Sequence, residues 1–296
     1  MNLLVTGAWN DAKKNIYDLE RLGHNVQFLQ FEKDALPCTY DWVEGVICNG
    51  LFLSHPIDRF VNLKYIQLTS AGYDRLDMKY IASKGIKIFN ARGVYSIPMA
   101  EFALCGVLQL YKQSHFFCMN KIKKEWIKHR NLLELNEKNV GIVGCGNVGD
   151  ECAKRFFAMG CNVIGFDVVY KESEFYSEIY DFKKIDDVLN ELDILVLTLP
   201  LNENTKEFMN IQRFSLMKND SVIVNIARGG VLDTSALLQH IDRLCGAVLD
   251  VFEEEPLKED SPLWDYENII ITPHNSFVGE YNQDRLKDVI FRNLRG

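Results

Sequence analysis

The chain has no CxxC pair, no long block of basic residues, and no apolar run approaching the ~20 residues of a membrane span. Each absence removes a class. Without paired spacing, the eight cysteines (38, 48, 105, 118, 145, 152, 161 and 245) do not build a zinc site, and no metal is expected. Most lie in apolar contexts and read as reduced thiols of a cytoplasmic protein. A net charge of −8 without a basic block argues against nucleic acid and against an anionic membrane surface. The densest basic stretch, Lys121 to Arg130, reads as a solvated arm or a subunit contact. The opening residues Met1-Asn2-Leu3-Leu4-Val5 enter a strand-like run and lack a signal peptide's basic start. No low-complexity linker interrupts the sequence.

What is present is 296 residues, 47% of them hydrophobic, enough for one large core or two moderate ones. Strand-like runs at 3–6, 25–29, 45–48, 65–68 and 86–89 alternate with helical stretches such as 12–22 and 78–84. A second series of runs follows at 140–143, 163–166, 194–197, 221–225, 246–249 and 269–272. This pattern predicts two α/β units with parallel sheets. The stretch 101–111 is apolar on nearly every side, which predicts a helix buried all round, between domains or between subunits.

One motif stands out. Gly144-Cys145-Gly146-Asn147-Val148-Gly149 directly follows the run at 140–143. The first glycine permits a tight turn, the second lets backbone approach a pyrophosphate, and the third lets the helix sit close to the strand. Helix-start N–H groups then face the anion. Asp167 closes the next apolar run, 18 positions after Gly149, where a carboxylate accepts the adenosine ribose hydroxyls and repels a 2′-phosphate. The reading is NAD rather than NADP. Lys171, the next base along, is too distant in sequence to look like a phosphate clamp. Only Gly7 stands near the opening turn of the first unit, which therefore lacks this fingerprint.

Three charged groups follow strands of the second unit: Arg228 before Gly229-Gly230, Glu255 in Glu253-Glu254-Glu255-Pro256, and His274 after Thr272-Pro273. Ligands of open α/β sheets bind beyond the carboxyl ends of strands, so these positions converge on one crevice. An arginine can fork onto a carboxylate, and a histidine paired with a carboxylate becomes a positioned acid–base group. Glu255 is singled out from its two neighbours by its place directly before Pro256.

At this point the chain resembles the D-2-hydroxyacid dehydrogenase family over nearly its whole length. The blocks that carry the resemblance are Leu68 to Asp77, Asn90-Ala91-Arg92-Gly93-Val94-Tyr95, the glycine turn, Leu199-Pro200-Leu201 with Thr205, Asn225 to Leu232, Leu249 to Pro256, and Thr272-Pro273-His274. The resemblance implies a flavodoxin-like substrate domain (1–93 plus 276–296) and a Rossmann NAD-binding domain (94–275), both doubly wound. It implies Arg228, Glu255 and His274 as catalytic residues, and a carboxylate-gripping loop at Ser70, Ala71 and Gly72. Cofactor contacts would come from Gly144, Gly146, Asn147, Val148, Gly149, Asp167, Pro200, Thr205, Ala227 and Asp250. The implied reaction interconverts a D-2-hydroxy acid and its 2-keto acid, in a homodimer formed through residues 101–131. An NAD(H)-sensing protein that keeps this scaffold is the alternative. Asp74 and Asp77 would close the turn around Gly72.

Some positions depart from the family. Asn136-Glu137-Lys138 replaces a glycine entry to the nucleotide strand, the connection 239–244 is short, and Asn275-Ser276-Phe277 is more polar than the usual follow-on. The loop 49–55, expected to face the substrate through Leu51 and Phe52, holds no arginine or lysine. It favours a small or hydrophobic unphosphorylated 2-keto acid, unless Arg75 or a neighbouring subunit lends a base.

Overall fold

Near-continuous apolar runs are what a strand requires when both faces of its sheet are covered. In the computed structural model, which describes residues 1–73 and 75–295, these runs become parallel strands. The chain divides into two compact units: Met1–Tyr95 with the segment from Gly279 onward, and Ser96–Val278.

Unit 1 runs β1 (Asn2–Thr6), α1 (Ala12–Arg21), β2 (Asn25–Leu29), β3 (Gly45–Cys48), α2 (Leu51–Ser54), β4 (Tyr65–Leu68), α3 (Met78–Ser83) and β5 (Lys87–Phe89). Unit 2 runs α4 (Ser96–Tyr111), α5 (Ser114–Lys123), β6 (Asn139–Val143), α6 (Asn147–Ala158), β7 (Asn162–Asp167), β8 (Glu178–Asp181) and β9 (Ile194–Leu197). It continues with α7 (Ile211–Leu216), β10 (Val222–Asn225), α8 (Thr234–His240), β11 (Gly246–Leu249) and β12 (Ile269–Ile271). The last helix, α9 (Asn282–Arg295), belongs to unit 1. Among the described residues the sheet orders are β2-β1-β3-β4-β5 and β12-β11-β10-β9-β6-β7-β8, both doubly wound. The order reverses beside β1 in the first sheet and beside β6 in the second, and such reversals open the crevices where ligands bind.

Alternation along the strands of unit 2 divides its core in two. Val143, Leu195, Leu197, Ile223 and Leu249 turn to the face covered by Phe214 of α7 and Leu237 of α8. Ile142, Ile194, Val196, Val224 and Val248 turn to Val107 of α4 and Phe156 of α6. Each such side chain contributes roughly 1.5–3 kcal/mol by leaving water. In unit 1, Leu286, Ile290 and Phe291 of α9 join Leu3, Val5 and Trp9, with Trp9 and Phe291 edge-to-face at 6.4 Å. Asp77 caps α3 by accepting from the Tyr80 N–H at 2.9 Å, while Asp74 lies outside the described residues.

Within the single chain, Glu101, Cys105 and Gln109 of helix α4, four residues apart, form an exposed edge that only a second subunit would cover. The helix's other face lies close to the sheet, because a Cβ on Gly106 would stand 2.5 Å from Val248 Cγ1. Strand β8 was not expected from sequence. Its Glu178 and Asp181 point outward at the sheet edge, which removes the apolar signal.

Candidate active site

After β6 the chain must turn and start a helix almost at once. Gly144 does so at φ +97°, where an added Cβ would come within 3.0 Å of the Thr198 carbonyl carbon. Gly149 lets α6 begin against that turn, since a Cβ there would stand 2.1 Å from the Gly144 oxygen. Gly146 differs, with nothing within 4 Å of an added Cβ. Helix α6 has no side-chain cap. Its leading amides, such as those of Val148 and Gly149, therefore have no partner within the helix, and the positive end of the dipole lies with them. Open ground in front of uncapped amides fits a diphosphate.

Asp167 ends β7 beside this turn, its carboxylate accepting from the Cys145 N–H at 2.7 Å and the Val169 N–H at 3.0 Å. Lys171 is not remote. The chain doubles back after β7, so its ammonium donates to the Cys145 carbonyl and to the Asp150 carboxylate. Pro200 lies exposed past β9. Thr205 is buried, and its hydroxyl donates to the Pro200 carbonyl at 2.6 Å and accepts from the Asn202 N–H at 2.8 Å. It shapes this loop from inside. Ala227 is buried, with its N–H on Asn225 Oδ1 at 3.1 Å.

The neighbouring strands β10, β11 and β12 each carry a candidate charged group past their carboxyl ends. Arg228 follows β10, donating to the Ala227 carbonyl at 2.7 Å. Gly229 presses this turn onto the loop after β11, where an added Cβ would fall 1.8 Å from the Phe252 carbonyl carbon. In that loop the Phe252 N–H donates to Glu255 Oε1 at 3.0 Å, and Glu255 Oε2 meets His274 Nδ1 at 2.8 Å. The other two glutamates face elsewhere: Glu253 accepts from the Thr234 N–H, and Glu254 pairs with Lys258.

His274 sits at φ +50°, a left-handed conformation uncommon outside glycine. Asp250, which is fully buried, holds it there. The Asp250 carbonyl accepts from the His274 N–H at 2.8 Å. Its carboxylate accepts from Thr272 Oγ1 and the Asn275 N–H, both at 2.7 Å, and from the Ser276 N–H at 3.0 Å. Sequence reasoning gave Asp250 a cofactor contact and missed this role in the histidine loop. Phe277 meets the His274 ring edge-on at 6.1 Å between centroids.

In unit 1, the Ser70 carbonyl accepts from the Ala91 N–H at 2.9 Å and the Ala71 carbonyl from Asn90 Nδ2 at 2.6 Å. Across a trans peptide the N–H opposes the C=O, so the amides of Ala71 and Gly72 point away from those partners. The Ser70 hydroxyl turns to the Gly72 carbonyl at 3.2 Å. Of the two residues expected to face the substrate, Leu51 is fully buried in the core, whereas Phe52 is half-buried and edge-on to Phe60 at 5.6 Å. The polar group at this corner is Glu32, which sequence gave no signal to single out. It accepts from Thr6 Oγ1, the Asn49 N–H and the Gly50 N–H at 2.6–2.8 Å.

A doubly wound sheet with a glycine turn, and an arginine and an imidazole–carboxylate pair past adjacent strands, define a nucleotide-dependent oxidoreductase. Residues 104–276 match the family model described as D-isomer specific 2-hydroxyacid dehydrogenase, NAD binding domain, and the chain belongs to that family. A glyoxylate reductase of Thermofilum pendens is 30% identical, over 89% of this chain and 78% of its own length. A D-3-phosphoglycerate dehydrogenase of Methanocaldococcus jannaschii is 32% identical over 81% of this chain, which spans 46% of that relative's length. The solved D-isomer specific 2-hydroxyacid dehydrogenase of Xanthobacter autotrophicus, in complex with NADPH and MES, superposes with a TM-score of 0.80 at 25% identity, covering 99% of this chain and 94% of that one. Among the described residues, no helix is long and apolar enough to cross a membrane.

Proposed function

We propose that the chain interconverts a small, unphosphorylated D-2-hydroxy acid and its 2-keto acid, with NAD rather than NADP as coenzyme. The observation that carries this reading is the His274–Glu255 pair, 2.8 Å apart past the ends of β12 and β11. The coenzyme, when bound, gives or takes the hydride at the substrate's C2. His274 handles the proton: with Nδ1 engaged by Glu255, Nε2 is the ring atom that exchanges it with the substrate oxygen. Glu255, itself oriented by the Phe252 N–H, steadies the charged ring. Arg228 grips the substrate carboxylate and polarises the keto oxygen. In unit 1, the substrate unit, the Ala71 and Gly72 amides offer further donors, with Ser70 shaping their loop.

The glycine turn, with the amides of Asn147, Val148 and Gly149, holds the pyrophosphate. Asp167 takes the ribose hydroxyls, and Pro200, Thr205, Ala227 and Asp250 frame the rest of the site. The loop 49–55 has no lysine or arginine of its own, and the Arg75 guanidinium that reaches Gly50, 3.8 Å from where a Cβ would stand, shares that point with the Glu32 carboxylate, which offsets its charge. Both features disfavour a phosphorylated substrate.

We also infer a cytoplasmic homodimer. On the arm of α5 and the residues after it, Trp126 is 97% exposed and Ile122 67%, apolar surface that self-association would cover. Light scattering should give about twice the 34.1 kDa chain mass; a lone chain at micromolar concentration would contradict the dimer.

The test follows NADH oxidation with glyoxylate, hydroxypyruvate, pyruvate, branched-chain keto acids and 3-phosphohydroxypyruvate. Turnover should appear with an unphosphorylated acid, and His274→Ala should lower it by about 10²–10⁴-fold while leaving NADH affinity nearly unchanged. Unchanged turnover in that variant refutes the assignment of His274. Tight NADH binding without turnover on any of these acids would favour a nicotinamide-sensing protein instead.

A further inference from the structure

The base nearest to Asp167 along the chain is held by another carboxylate. Asp150 lies in the first turn of α6, and its carboxylate meets the Lys171 ammonium at 2.5 Å. Tyr176, whose ring is buried, donates its hydroxyl to Asp150 Oδ1 at 3.2 Å and so orients the acceptor. Lys171 also donates to the Cys145 carbonyl. Asp167 accepts from the N–H of that same residue at 2.7 Å. The cation and the ribose-binding carboxylate therefore flank one residue of the glycine turn. A 2′-phosphate would be placed next to Asp167, within a side chain's reach of Lys171, whose flexible stem has several rotatable bonds.

We propose that Asp150 is a cofactor-specificity residue: by holding the Lys171 ammonium against the glycine turn, it withholds that charge from a 2′-phosphate. Discrimination then rests on two carboxylates. Asp167 repels the phosphate directly, and Asp150 occupies the cation that would otherwise attract it. Two carboxylates against one ammonium leave this corner with a net negative charge. Neutralising Asp150 cancels it and leaves the lysine with only neutral acceptors, the Cys145 carbonyl and an amide oxygen. The proposal rests on the preference for NAD argued above and extends it to a residue outside the glycine fingerprint.

The experiment measures dissociation constants of NADH and NADPH by titration calorimetry for the unmodified protein, Asp150→Asn, Lys171→Met and the double variant. Asp150→Asn keeps the side chain's shape and its acceptor oxygen for Tyr176. It should bind NADH within about threefold of the original and NADPH roughly tenfold more tightly, with the gain fading at high salt. The double variant should lose that gain, because a lysine must be present to supply it. An unchanged NADPH-to-NADH ratio in Asp150→Asn overturns the proposal, as does a gain that survives removal of Lys171. Should the unmodified protein already bind NADPH as tightly as NADH, the underlying preference for NAD fails instead, and the two failures are read from different samples.

Discussion

Replacing Asp250 tests whether the histidine loop is held in its left-handed turn by one buried carboxylate. In Asp250→Asn the amide oxygen serves the Oδ1 side best, where Thr272 Oγ1 and the Asn275 N–H converge at 2.7 Å. The new NH2 group then faces the Ser276 N–H, which now points at another donor rather than at an oxygen 3.0 Å away. One charge-assisted bond is lost and a buried donor is left unmet, costing about 2–4 kcal/mol together. Relief from burying a charge offsets part of this. For a unit of this size each kcal/mol moves the midpoint by about 2–4 °C, so thermal unfolding followed by circular dichroism should shift down by roughly 4–16 °C. His274 sits at φ +50° only while its surroundings enforce it, so kcat should fall further than NADH affinity does. A variant with unchanged melting and unchanged kcat would refute the claim that this carboxylate positions the proposed acid–base ring of His274.

The two glycines of the turn should separate folding from binding. Gly146→Ala meets open space and should melt like the original while losing NADH affinity at least about tenfold, whereas Gly149→Ala collides with the Gly144 oxygen and should lower stability as well. Burial pushes the Cys145 thiol up to about 11, so iodoacetamide near neutral pH should spare it in the folded protein and label it only after denaturation; mass mapping decides. Burial acts to raise the Asp193 carboxyl, but Lys218, the Asn139 N–H and Lys138 outweigh it and hold the group below its ordinary 3.8. Its stabilisation is thus present above that value and disappears as pH falls through the lower native one, and Asp193→Asn should flatten the acid limb of a melting-temperature profile.

The fold was legible where physics writes it locally. Parallel strands such as Ile194–Leu197 and Val222–Asn225 are buried on both faces, so they appear as unbroken apolar runs. The edge strand Glu178–Asp181 wets one side and left no such trace. Apolarity also overstates burial: Cys105 looks like core and lies on the exposed edge of α4. Of the candidate site, the Glu255–His274 contact was legible in residue types standing at strand ends, with Arg228 past the neighbouring strand. What stayed hidden are relations made only by tertiary return of the chain. Lys171 comes back to the glycine turn, Asp250 holds a loop more than twenty residues on, and Thr205 braces Pro200 from inside. Leu51 could not be assigned to the core from sequence, because an apolar loop beside a presumed substrate and an apolar plug for the core have the same composition.

The two sheets share a winding but not a ligand, and the reason is visible at their reversal points. In the second sheet the crevice beside β6 opens onto Gly146 and an uncapped helix, leaving backbone amides for an anion from outside. In the first sheet the matching crevice beside β1 is filled from within. A Cβ on Gly7 would stand 2.3 Å from the Gln30 carbonyl oxygen, so the β2 exit lies directly over the turn. Two residues further on, Glu32 brings its carboxylate to the Asn49 and Gly50 amides, the donors an incoming anion would need. An internal carboxylate is already close and oriented, so it wins those amides without the entropy of association that a free ligand must overcome. Unit 1 is thereby closed to a nucleotide by its own side chain and left with the Ala71 and Gly72 amides as its outward donors. The division of labour follows from where each unit places a carboxylate relative to its first turn.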